Sequence, residues 1–179
     1  MSLSTNSPLI QDAIEIATIA HEGQVRRFTN EPYINHPLRV AARVEGIVSE
    51  NGLAAAILHD SLKDTALTFS DINTAFGYHV VTRVLYLTEQ KPAVGNRAHR
   101  KAVQRARMHF VGPGEAFDVH TIKMADCIDN MPGIREHDPN FWKVMYQEMV
   151  HLGPCLHHAD KDITEEFYAV LYDRPIQES

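Results

Sequence analysis

The sequence predicts an all-α domain, and three observations carry that reading. Apolar residues recur at helical spacing through most of the 179 residues, alternating β-branched runs are missing nearly everywhere, and proline, serine and asparagine stand where helices are expected to start. The chain is long enough for one hydrophobic core and short for two, so residues 1–179 are expected to form a single domain.

Ser7-Pro8 reads as an N-cap followed by proline at the first helical position, and Leu9, Ile10, Ala13, Ile14, Ala17 and Ala20 then mark a helix that ends near Gly23. From Gln24 to His36 there is no period and there is a proline, Pro32, which predicts an ordered loop. Pro37 restarts a helix with the stripe Leu38, Ala41, Val44 and Ile47 or Val48, leaving His36 at its N-terminal side. Asn51-Gly52 reads as a turn. The run Ala54-Ala55-Ala56-Ile57-Leu58-His59-Asp60-Ser61-Leu62 then predicts a buried helix that ends in an imidazole and a carboxylate. Adjacent helical residues turn about 100° apart, so one ion between the two directions can bind both.

Ser70 is the expected cap of a short helix stopping at Gly77, and Val80, Val81, Val84, Leu85 and Leu87 are the expected core face of the next. Asn96 is the candidate cap of a basic helix carrying Arg97, Arg100, Lys101, Arg105 and Arg107, read either as a solvated face or as a wall facing phosphate. From Ala116 to Met131 the positions Phe117, Ile122, Met124, Ala125 and Ile128 predict a largely buried helix with Asp126 in its middle, and a buried aspartate needs a partner. Pro132-Gly133 is expected to end it. Asn140 is the expected next cap, and Ile163, Phe167, Val170 and Leu171 mark a final amphipathic helix. His157, His158 and Trp142 read as surface and packing residues.

Composition narrows the class. Hydrophobic residues are 44% of the chain and charged residues 22%, close to globular averages, so neither disorder nor a membrane protein is expected. Met1 to Ile10 contains no Lys or Arg and no sustained apolar stretch, which predicts a cytoplasmic protein without a secretory signal. Cys127 and Cys155 have neither disulfide-framework nor zinc-ribbon spacing. A net charge of −6 argues against DNA or RNA as a partner.

His36, His59, Asp60 and Asp126 occupy a helix start, a buried pair and a buried helix centre. Two imidazoles and two carboxylates form a mixed nitrogen and oxygen donor set, suited to an octahedral Mn²⁺ or Fe²⁺ with positions left for water and substrate. Such an ion lowers the pKa of water and offsets charge on a phosphoryl oxygen, which is hydrolase chemistry.

Four stretches resemble a known family. His21-Glu22-Gly23-Gln24-Val25-Arg26-Arg27, Pro32-Tyr33-Ile34-Asn35-His36-Pro37-Leu38, Leu58-His59-Asp60 with Asp64-Thr65, and Ile122-Lys123-Met124-Ala125-Asp126 with Asn130 are similar, in order and spacing, to the alarmone hydrolases of the RelA/SpoT-homologue group in the HD superfamily. The length is that of the small, stand-alone members. The resemblance implies one Mn²⁺, or Fe²⁺ or another divalent cation, on His36, His59, Asp60 and Asp126. It also implies a nucleotide partner, (p)ppGpp or an adenosine analogue, that loses its 3′-pyrophosphate. Arg26 and Arg27 are then expected beside base and phosphate, Asn130 and, from the basic helix, Arg100 and Lys101 as further contacts. Lys63 stands where the family usually has a glutamate that handles the attacking water. Lysine offers donors only, so Asp64 or the metal alone would activate the water with Lys63 offsetting phosphate charge, or the substrate differs, or turnover is poor.

Overall fold

The computed structural model describes residue 3 and residues 7–89 and 95–173, all helical or loop apart from one isolated antiparallel bridge, Val25 to Pro32. The all-α expectation holds for these residues. They fall into two compact units, Met1–Gln90 and Lys91–Ser179.

The first unit contains α1 (Pro8–Ala20), α2 (Asn35–Val44), α3 (Glu50–Leu58), α4 (Ser61–Asp64), α5 (Phe69–Phe76) and α6 (Tyr78–Leu87). Helix α3 is its centre. It packs against α1, α2 and α6, which is why Ala54, Ala55, Ala56, Ile57 and Leu58 are fully buried and why the run is apolar on every side rather than striped. Asn51 and Gly52 lie inside α3 rather than in a turn, because Ser49 caps the helix upstream by accepting the Gly52 N–H at 3.0 Å. Helix α5 starts at a capping box made by Thr68 and Asp71, not at Ser70. Gly77, at φ +80°, turns the chain directly from α5 into α6, a conformation that costs a side-chain-bearing residue more than glycine. On α6 the valines and Leu87 are buried, whereas Leu85 is partly exposed.

The second unit contains α7 (Arg97–His109), α8 (Ala116–His137), α9 (Pro139–Leu152), a 3₁₀ turn (Gly153–Cys155) and α10 (Lys161–Tyr172). Asn96 caps α7 as expected, accepting the His99 N–H at 3.0 Å. Helix α8 packs against α9 and α10 and does not stop at Pro132. An interior proline removes one backbone hydrogen bond and costs about 3 kcal/mol. The buried Met124, Cys127, Ile128 and Met131 precede it, and their packing outweighs that cost. The helix ends instead at Asp138, which caps α9 by accepting the Phe141 N–H at 3.1 Å, with Pro139 at the first helical position where Asn140 was the expected cap. Phe117, in the first turn of α8, is exposed rather than core.

Candidate active site

The apolar helix expected to run to Leu62 ends at Leu58. His59 follows in helical conformation, but Asp60 has φ −96° and ψ −7°, and α4 begins afresh at Ser61. The break turns His59 and Asp60 toward one point. The His59 Nδ1–H donates to the Ala56 carbonyl at 2.8 Å, which fixes the tautomer and leaves Nε2 as the lone-pair nitrogen. That Nε2 lies 3.2 Å from Asp60 Oδ2.

Helix α2 brings the second imidazole. His36 sits in its first turn, 1% exposed, with its Nε2 3.6 Å from the same Asp60 oxygen and its ring edge-on to His59 at 5.2 Å. Two imidazole nitrogens and a carboxylate oxygen therefore converge. A lone pair facing an anionic oxygen at 3.2 Å is repulsive unless a proton or a metal ion lies between them, and this donor set fits a divalent cation.

Tyr33 completes this corner. Its hydroxyl donates to Asp60 Oδ2 at 2.7 Å, and its ring stacks on His21 at 4.9 Å. The buried His21 is tied through Gln24 to the backbone of α4: His21 Nδ1 contacts Gln24 Oε1 at 2.9 Å, and Gln24 Nε2 donates to the Asp64 carbonyl at 2.7 Å. The loop between α1 and α2 is ordered as expected, closed by Arg26 N–H to the Glu31 carbonyl and turned at Asn30, φ +56°. The Arg26 guanidinium lies over Tyr33, 5.9 Å from the ring centre, while Arg27 is exposed and lies over Phe28 at 5.1 Å. Of the two arginines, Arg26 is the one held on the Tyr33–Asp60 corner. On α4, Lys63 Nζ reaches the Asp64 carboxylate at 3.3 Å, and both side chains are about one-third exposed.

In the second unit Asp126 is 8% exposed at mid-α8. Lys123 Nζ donates to its Oδ2 at 2.7 Å and Asn130 Nδ2 to its Oδ1 at 2.6 Å, so the buried carboxylate has the partners it needs within its own helix. Asn130 is thus oriented by Asp126. Lys101 lines a cavity of about 710 Å³ between α7 and α9, together with Arg105, Lys143 and His151, and Arg97 is held at its rim by a two-pronged pair to Glu148 at 2.7 and 2.8 Å. Arg100 does not line it. Tyr33 and Lys123 were not singled out from sequence. The signal for Lys123 is its spacing, three residues before a buried aspartate on one helix. Tyr33 carries none beyond its place in the loop, because its partner is 27 residues away.

Comparison with known proteins agrees with the arrangement. The HD-domain family model matches residues 13–152. A guanosine-3′,5′-bis(diphosphate) 3′-pyrophosphohydrolase MESH1 from Xenopus tropicalis is 31% identical over 144 residues, covering 78% of this chain and 77% of that protein. The bifunctional (p)ppGpp synthase/hydrolase SpoT of Escherichia coli K12 is 29% identical over 172 residues, covering 91% of this chain and 24% of SpoT. A solved structure described as a metazoan SpoT orthologue that hydrolyses ppGpp superposes with a TM-score of 0.83 at 22% identity, covering 98% of this chain and all of that one. An HD domain implies a divalent metal, and the chain belongs to the HD-domain family, among its small members related to MESH1 and SpoT.

Proposed function

We propose that the protein is a metal-dependent 3′-pyrophosphohydrolase of alarmone nucleotides, releasing pyrophosphate from (p)ppGpp or an adenosine analogue to leave GDP, GTP or their adenosine counterparts. The observation that carries the reading is the convergence of His59 Nε2, His36 Nε2 and Asp60 Oδ2 in a chain with MESH1-like relatives. His36, His59, Asp60 and Asp126 would hold one divalent ion, Mn²⁺ by preference and Fe²⁺ as the alternative. When bound, it supplies an acidified water and charge compensation on the phosphoryl oxygens. We take residues 1–179 as one HD-type domain, supported by a family match that runs from residue 13 to residue 152.

The chain's own groups have these tasks. Tyr33 orients the Asp60 carboxylate. Asp64 accepts the proton of the attacking water, and Lys63 beside it offsets charge on the departing pyrophosphate. Water adds at the phosphorus joined to the 3′ oxygen, the bond from that phosphorus to O3′ breaks, and O3′ leaves as a hydroxyl with the proton that Asp64 took from the water. Arg26 stacks its planar guanidinium on the base, Arg27 meets phosphate from the outer side of the loop, and Asn130 contacts the nucleotide. Lys101, with Arg100 on the same helix, supplies positive charge to the 5′ phosphates, supported by the basic lining of the α7–α9 cavity. The net charge of −6 favours a small nucleotide over DNA or RNA as partner, and no helix of the described residues is long and apolar enough to cross a membrane. We place the protein in the cytoplasm, supported by its likeness to the 3′-pyrophosphohydrolase relatives.

Lys63 favours a second reading, in which the protein acts on another nucleotide phosphate or binds alarmone and turns it over poorly. Pyrophosphate release with Mn²⁺ from ppGpp, pppGpp and ppApp, by wild type and Lys63→Glu, separates the two. Release by wild type supports the hydrolase, and release by Lys63→Glu alone supports the binding reading.

A further inference from the structure

Histidines of the second unit gather outside the groups used above. His109 ends α7, His120 lies within α8, and His157 and His158 stand in the turn before α10. The His157 ring centre is 5.6 Å from both His109 and His120 and 4.3 Å from His158. His120 is buried, and both its nitrogens are committed: Nε2–H donates to the Met108 carbonyl at 2.8 Å, and Nδ1 accepts the His158 backbone N–H at 3.2 Å. It is therefore a neutral post that pins the turn. Asp160 N–H to Thr121 Oγ1, at 3.0 Å, pins it again.

The other three are exposed, and among the described residues their ring nitrogens make no hydrogen bond and pair with no carboxylate. A neutral imidazole nitrogen is a common ligand for divalent metal ions. With metal–nitrogen bonds of about 2.0–2.1 Å, two imidazoles on one tetrahedral ion hold their ring centres roughly 5–5.5 Å apart. The spacing of His109 and His157 is close to that, and His158 lies 4.3 Å from His157 in the same turn.

We propose that His109, His157 and His158 form a second metal site, for a borderline divalent ion such as Zn²⁺, Ni²⁺ or Cu²⁺, that ties the turn before α10 to the end of α7. The donor set is all nitrogen, which separates it from the oxygen-containing set at Asp60.

Zinc titration by calorimetry of the full chain tests this in an Asp60→Asn background, which removes a ligand of the other site, with and without His109→Gln/His157→Gln. The expected result is one Zn²⁺ bound in the Asp60→Asn protein and at least tenfold weaker binding in the triple variant. In the same titration the Hε1 NMR signals of His109, His157 and His158 are expected to move. Equal Zn²⁺ binding with and without the histidine pair, or unmoved signals from those three rings, would overturn the proposal. Neither outcome depends on pyrophosphate release, so failure here leaves the hydrolase reading untouched.

Discussion

Tyr33 gives its hydroxyl hydrogen to the same Asp60 oxygen that both His36 and His59 face, at 2.7 Å. That bond sets the direction of the carboxylate and uses one of its lone pairs, leaving the other for a cation. Outer-sphere partners of this kind are worth about 10–100-fold in metal affinity. Tyr33→Phe keeps the ring stacked on His21 and loses only the donor. The expected result is Mn²⁺ binding roughly tenfold weaker by calorimetry, with thermal stability within about 1 kcal/mol of wild type. Unchanged affinity would remove Tyr33 from the site.

Pro132 is exposed in the middle of α8 and withholds a backbone donor from the helix. Pro132→Ala restores the donor without losing packing, so it is expected to stabilise the protein by about 1–3 kcal/mol, read as a rise in the denaturation midpoint. A lower midpoint would mean that the proline shapes a bend on which α9 or α10 depends.

The two cysteines should differ in chemistry. Burial inside α8 pushes the Cys127 thiol up to about 12, while Cys155 is partly exposed in the 3₁₀ turn. An alkylating reagent at pH 8 should label Cys155 in the folded protein and reach Cys127 only after denaturation. Equal labelling rates would show that α8 opens readily.

Burial holds His120 below its ordinary value of 6.5, with the neighbouring His157, His158 and His109 acting in the same direction and the bond to Met108 opposing. Below 6.5 the unfolded chain then binds a proton that the folded chain does not, so stability falls as pH drops from 6.5 toward the folded value and levels off beneath it. Protonation also turns Nδ1 from acceptor to donor and costs the bond from the His158 N–H. Denaturation midpoints measured from pH 7 to pH 5 should decline in wild type and decline less in His120→Gln. Equal slopes would assign the pH dependence to other groups.

Periodicity made most helices legible, since burying a face requires a stripe. The ends were harder to read, because a cap depends on which side chain reaches a backbone N–H. Thr68 and Asp138 cap their helices where Ser70 and Asn140 were expected, and Ser49 starts α3 ahead of the Asn51-Gly52 pair read as a turn, by local geometry that composition does not reveal. Pro132 misled because its local cost is plain in the sequence, whereas the packing of α8 on α9 and α10 that outweighs it is not. At the site, the motifs named His36, His59 and Asp60. The break at Asp60, which turns the pair toward one point, came only with the structure.

We propose that one divalent ion on His36, His59, Asp60 and Asp126 drives loss of a 3′-pyrophosphate. The most direct measurement is pyrophosphate release from ppGpp, with and without added Mn²⁺ after chelation, by wild type, His59→Ala and Asp126→Asn. Each variant would be checked for retained helical content by circular dichroism. Metal-dependent release by wild type, reduced at least a hundredfold in both variants, is the expected result. Metal-independent release, or release undiminished in His59→Ala, would contradict the account.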